Sequence, residues 1–156
     1  MNEQVKKRIF FTIAAIIFAL GIWGTLTRKD PIEKNIGYVY LNDGEEIFTL
    51  NGYKTETNYK GKIKKYDYPD LQEKSDEVPS VVVTEENISD MNVSYSDNNY
   101  KAEYTLYDSD FSLISENMSR LELPSETDKT YFISVSVLWG SKDENVNMIY
   151  YFSIET

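Results

Sequence analysis

Histidine and cysteine are both missing from the 156 residues of this chain. Their absence removes Ser-His-Asp and Cys-His catalysis, zinc sites built from imidazole or thiolate, and redox thiols. No Ser-x-x-Lys stands in the chain for a serine-lysine mechanism, and no glycine-rich loop joins a strand to a helix in the way that cradles phosphate. Without cysteine there is no disulfide and no attachment point for a lipoprotein anchor, so stability must come from packing. Paired carboxylates, as in glycosidases, remain formally available, but an acid-rich chain produces such pairs by accident. An acidic loop at Asp108-Ser109-Asp110 with Glu116 offers the oxygen ligands that calcium takes, yet it lacks a loop glycine and a third acidic ligand and is read as a hairpin turn. The chain is therefore read as a non-enzyme, with no cofactor and no metal.

Positive charge is scarce once the first 29 residues are set aside. From Asp30 to Thr156, eleven Lys and Arg stand against twenty-five Asp and Glu, a balance of about −14. A polyanion would be repelled over most of such a surface, which argues against nucleic acid and anionic lipid as broad partners. The basic cluster in this part, Lys60-Gly61-Lys62-Ile63-Lys64-Lys65-Tyr66, is framed by Tyr59, Tyr66 and Tyr68. It reads as an edge strand blunted by lysines, with a grip on an anionic wall polymer as the alternative.

Against these absences stands one long apolar run, Ile9 to Thr27, flanked by Lys6, Lys7 and Arg8 on one side and by Arg28 and Lys29 on the other. At about 1.5 Å of rise per residue the run matches the hydrocarbon core of a bilayer, roughly 30 Å, and it has no polar face. The expectation is a single transmembrane helix over 9–27 acting as an uncleaved signal anchor at the cell membrane. Residues 1–8 then form a cytoplasmic basic head, and everything after Lys29 lies outside.

Beyond Ile36 the period changes to that of strands, and Tyr, Val, Ile and Thr are enriched between Gly and Asn-Asp punctuation. Residues 28–79 are expected to hold a juxtamembrane β-hairpin region and an acidic connection. In it, Gly37 to Leu41 and Ile47 to Leu50 pair across Asn42-Asp43-Gly44, and Asn51-Gly52 makes a second hairpin turn before Tyr53 to Tyr59. The proline-bounded stretch Pro69 to Pro79 divides this region from residues 80–156. The latter should form an antiparallel β-sandwich from Ser80 to Thr84, Ile88 to Tyr95, Tyr100 to Tyr107, Met118 to Leu123 and a long terminal hairpin. In that hairpin Tyr131, Ile133, Val135, Val137 and Trp139 alternate along one strand, and Met148, Tyr150, Phe152 and Ile154 along the other, with Gly140 to Val146 as the loop. The inner face of this hairpin is expected to carry the core, and in Tyr100 to Tyr107 Ala102, Tyr104 and Leu106 share a core face while Lys101, Glu103 and Thr105 share a wet one.

Leu123-Pro124 followed by Asp128-Lys129-Thr130-Tyr131-Phe132-Ile133-Ser134-Val135 resembles the end of the immunoglobulin-like fold, in which a Tyr opens the penultimate strand and its hydroxyl closes a corner. Ile133 stands where true immunoglobulin domains carry cysteine, and no Trp lies on the presumed third strand. The arrangement of anchor, hairpin region and final strand pair resembles membrane-anchored surface proteins of Gram-positive bacteria. That resemblance implies a location and a mostly β, immunoglobulin-like architecture rather than an activity.

Two functions follow as expectations. In the first, the sandwich is a non-catalytic interaction module that binds an envelope protein or a wall component. In the second, the chain is a structural or regulatory subunit of a membrane complex, with its helix as the working part. For the first, the loops joining the strands pairwise fall at one pole of an immunoglobulin-like order, and the candidate contact residues are Asp97, Asn98, Asn99, Asp143, Glu144 and Asn145, with Trp139 at the rim.

Overall fold

The terminal hairpin organises the fold. In a computed structural model that describes residues 36–84 and 91–156, β9 (Thr130–Gly140) and β10 (Glu144–Glu155) pair antiparallel along their whole length. The register sets Trp139 opposite Val146, Val137 opposite Met148, Val135 opposite Tyr150, Ile133 opposite Phe152 and Tyr131 opposite Ile154, so both apolar rows share one face. All ten side chains are buried. Burying an aliphatic side chain of this kind contributes about 1.5–3 kcal/mol, which makes this double row the main source of stability.

The other strands add outward from the hairpin. On the β9 side lie β7 (Tyr100–Tyr107) and β8 (Leu113–Met118), both antiparallel. On the β10 side the first half of the strand bonds β3 (Gly52–Tyr59), which in turn bonds β4 (Lys62–Lys65), while its last residues pair in parallel with β5 (Ser80–Val82). The order is β4-β3-β10-β9-β7-β8. A second sheet of three short strands, β2 (Ile47–Thr49), β1 (Val39–Asn42) and β6 (Asn92–Tyr95), supplies the covering layer. Val39 and Leu41 of β1 are fully buried, and the ring of Tyr95 meets the indole of Trp139 edge-on at 6.2 Å.

The mostly β, antiparallel architecture and the terminal hairpin agree with the sequence reading. Several finer expectations do not. Strands on either side of the proline-bounded connection share one sheet, so that connection is not a packing boundary. The described residues belong to one unit, Asn35–Thr156. Asn51-Gly52 is not a hairpin turn, because β3 leaves β2 and pairs with β10. Gly52 is needed where the backbone passes over Tyr150, whose ring a Cβ would approach to 2.4 Å. The strand expected at Met118 to Leu123 lies earlier, as β8, and residues 119–129 contain no strand.

The connection itself holds a helical turn, α1 (Leu71–Lys74), capped by the Asp70 carboxylate, which accepts a hydrogen bond from Glu73 N at 2.8 Å. This connection covers part of the outer face of the hairpin, where Phe132, Ser136, Leu138 and Ile149 stay half-exposed. Tyr151 donates its hydroxyl to the carbonyl of Pro69 at 3.0 Å and packs on Tyr53, and Ser153 N donates to the carbonyl of Pro79. Tyr151 and Ser153 are buried as a result, and Ser134, the register partner of Tyr151, is buried beside them. The Asp108 carboxylate accepts from Asp110 N and Ser112 N, which makes its loop the turn between β7 and β8.

The apolar run at 9–27, and with it the expected membrane-spanning helix, lies outside the described residues, as do residues 88–90 of the strand expected from Ile88. Among the described residues no helix is long and apolar enough to cross a membrane.

Candidate functional site

The loops at 96–99 and 141–143 do meet at one end of the large sheet. Tyr100 and Trp139 are register partners, and one residue further on Gly140 N donates to the carbonyl of Asn99 at 3.1 Å. The turn between β3 and β4 joins them, because Lys60 N donates to the carbonyl of Asp143 at 2.8 Å. Each loop is held internally. The Asp97 carboxylate accepts from Asn99 N, and Ser141 N donates to the carbonyl of Glu144 at 2.9 Å.

The expected loop from Gly140 to Val146 is therefore a tight turn, and this decides which candidate residues are available. Asp97, Asn98, Asn99 and Asp143 are exposed, while Glu144 is half-exposed within β10 opposite Tyr59. Asn145 is buried, and its amide nitrogen donates to the carbonyls of Ser141 at 2.8 Å and Lys142 at 3.1 Å. It builds the turn and is not a contact residue. Trp139 is not at the rim either. Its exposure is 0%, and its indole nitrogen donates to the Tyr150 hydroxyl at 3.2 Å.

The surface aromatics here are ones that sequence reasoning missed. Tyr100, 39% exposed, stacks on Tyr95 at 4.0 Å. Tyr38, 63% exposed, is held to this end of the fold because its amide donates to Ser96 Oγ at 2.7 Å and its carbonyl accepts from Ser96 N. The signal for Tyr100 was its place at the outermost end of an alternating row, where the covering layer runs out.

A cleft of ≈ 840 Å³ opens between the two sheets. Val93 and Tyr95 of β6 form one wall, Ala102 and Tyr104 the floor, and Arg120 and Glu122 the far side. It exists because the small sheet stops at β6 among the described residues while the large sheet continues beneath it to β7 and β8. In its wall the hydroxyls of Tyr95 and Tyr104 share a hydrogen bond of 2.6 Å. Burial, reinforced by that bond, pushes the Tyr95 phenol well above the ordinary tyrosine range, and burial also raises Tyr104. Tyr150 and Tyr151 are raised by burial as well. These phenols stay protonated near neutral pH and serve as hydrogen-bonding groups, not as bases.

The raised values carry a stability consequence. Below about pH 10 the tyrosines are protonated in both the folded and unfolded chain, so their burial is fully stabilising. Above it the unfolded chain releases protons that the folded one retains, and stability falls as pH rises. Each such tyrosine contributes up to about 1.4 kcal/mol per pH unit. Urea midpoints measured between pH 8 and 11 should decline from about pH 10. The decline should be shallower in the Tyr95→Phe, Tyr104→Phe double variant, and an unchanged slope would mean that this pair ionises freely in the folded protein.

Comparison of the chain with protein-family models, with curated proteins and with solved structures gives no match.

Proposed function

We propose that this protein is a non-catalytic interaction module of the cell envelope, held in the membrane by the apolar run at 9–27 and displaying its β domain outside the cell. The observation that carries the reading is the end of the fold where two polar loops are fixed together by the bond from Gly140 N to the carbonyl of Asn99. Loops mounted on a rigid sheet lose little conformational freedom on binding, which is why recognition is so often placed on them. The polar side chains of Asn98, Asn99 and Asp143, with Tyr100 close by, supply hydrogen-bonding groups and one aromatic surface.

An immunoglobulin-like assignment is part of the proposal. It is supported by the order β7-β9-β10 in one sheet with β6 in the other, which fits the third, sixth and seventh strands beside the second. On this assignment β3 and β4 are additions beyond the seventh strand. The Tyr131 hydroxyl makes no corner bond among the described residues, so that detail of the resemblance is not part of the reading.

A membrane-impermeant cross-linker added to intact native cells tests location and contact together. The wild-type chain should give a discrete adduct with another envelope component. The Asn98→Ala, Asp143→Ala double variant should lose most of it while its unfolding free energy from urea titration stays within about 0.5 kcal/mol of wild type, as surface truncations do. An undiminished adduct in the double variant would remove the loops from the interface, and an adduct formed only in permeabilised cells would overturn the external location.

A further inference from the structure

The β3–β4 hairpin carries five of the eleven basic residues that follow residue 29, within a part of the chain whose balance is strongly acidic. The register sorts them. Lys65, opposite Glu56, lies on the outer face of the strand, where it protects the edge. Lys62 lies opposite Tyr59 and Lys64 opposite Thr57, and Thr57 lies opposite Val146, which is the partner of Trp139. Lys62 and Lys64 therefore stand on the core-side face of the large sheet, at its margin, where both are exposed. Lys54, opposite Met148, belongs to the same face.

The cations are ordered by aromatic rings. Lys64 Nζ stands 4.8 Å and Lys54 Nζ 5.2 Å from the centre of the Tyr66 ring, and Lys60 Nζ stands 5.1 Å from that of Tyr59. Carboxylates of the described residues do not quench Lys60, Lys62 or Lys64. Among the described residues the ion pairs given by geometry join Lys74 to Glu77 and Lys101 to Glu103, and neither uses Lys60, Lys62 or Lys64. Glu144 shares their row but lies on the far side of Tyr59 from Lys62, and Glu56 is opposite Lys65 on the other face.

We infer that this face binds a flexible polyanionic chain of phosphodiester-linked polyol units. Lys62 and Lys64, two residues apart on one strand, are spaced by about 6.7 Å, which suits a polymer with one negative charge per short repeat. The tyrosine rings offer apolar faces to the polyol between charges. The shape of the acidic surroundings selects the class of ligand. A thin chain can follow one sheet edge, whereas a nucleic-acid duplex or a membrane surface is broad and would come within the screening length, about 8 Å at physiological salt, of the acidic remainder. The inference rests on the reading of the domain as a non-catalytic binder but uses a different surface from the loops at 96–99 and 141–143, so each can fail alone.

The test uses the full chain in a nonionic detergent, with a fluorescent poly(glycerol phosphate) oligomer of about twelve units as probe and anisotropy as readout. Binding should be saturable and should weaken steeply with added salt, as phosphate contacts do. Lys62→Glu with Lys64→Glu should weaken it by about tenfold or more, Lys62→Arg with Lys64→Arg should keep it within about threefold, and Lys101→Ala, which removes a lysine paired with Glu103 on β7, should leave it unchanged. The arginine pair separates lost charge from lost folding. No saturable binding, or full binding by the glutamate pair, would overturn the inference. Equal affinity for a single-stranded oligonucleotide of the same charge would overturn the ligand class, and tighter binding to vesicles of anionic phospholipid would make the membrane surface the occupant instead.

Discussion

Trp139→Ala should destabilise the domain by about 3–5 kcal/mol, the range for losing a buried aromatic side chain and leaving a cavity. The indole is fully buried, lies edge-on to Tyr95 at 6.2 Å and tilted against Tyr100 at 5.8 Å, and donates to the Tyr150 hydroxyl. It also fills the space beside Gly37, where an added Cβ would come within 2.6 Å of the ring. A domain of this size is stable by only about 5–15 kcal/mol, so the variant would sit near the limit of folding. Trp139→Phe keeps most of the volume but deprives Tyr150 of its donor, and should cost less, about 1–3 kcal/mol. Urea unfolding followed by circular dichroism distinguishes these cases. A loss below about 0.5 kcal/mol in the alanine variant is what a surface residue would give, and would mean that the ring belongs at the rim of the loops after all.

Gly140→Ala should cost roughly 2–4 kcal/mol for two separable reasons. The residue has φ +103°, a conformation that favours glycine, and an added Cβ would lie 2.4 Å from the Glu144 carbonyl oxygen. Gly61 isolates the first effect, since it has φ +80° with nothing within 4 Å of an added Cβ. Gly61→Ala should therefore lose only about 1–2 kcal/mol. Equal losses at the two positions, measured as urea midpoints of paired variants, would show that backbone conformation accounts for all of the Gly140 effect and that the turn yields to the new methyl group. Hydrogen exchange at Gly140 N should also accelerate, because the bond to Asn99 depends on the same turn.

Period-two alternation made the terminal hairpin readable because it reports which side chains share a face, and from Tyr131 to Trp139 the row is unbroken. It does not report which strand lies alongside. Nothing in the residues of β3 distinguishes pairing with its neighbour β2 from pairing with the distant β10, so local turn signals at Asn51-Gly52 point to a hairpin that the fold does not make. The covered part of the outer face was hidden for a related reason. Ser153 is a small polar residue that reads as wet, and the layer over it and Tyr151 comes from a connection whose composition is polar. The Asp70-Leu71-Gln72-Glu73 sequence did hold the capping signal for α1, but one helical turn has no period to support it.

The candidate site was legible to the same depth. That the loops at 96–99 and 141–143 meet follows from strand order, and the structure brings them together. The roles of Asn145 and Trp139 depended on where β9 ended. A polar side chain beside a presumed loop and one inside a turn look alike in sequence, and only the carbonyls of Ser141 and Lys142 decide between them.

The double pairing of β10 has a kinetic consequence. This strand is bonded along one edge to β9 and along the other to β3 and then β5, with Tyr150 against Gly52 and Ile154 against Val81. Those last two pairings close very long loops, and loop-closure entropy must be overcome before the contacts compensate. The β9–β10 hairpin can form early on its own, whereas docking of β3 and β5 must wait for a wide conformational search, which places folding roughly in the millisecond-to-second regime of non-local β topologies. During that wait β10 is an open edge with an apolar row beneath it. A second copy of β3 from another chain meets the same hydrogen-bonding pattern there, so strand exchange between molecules competes with folding as concentration rises.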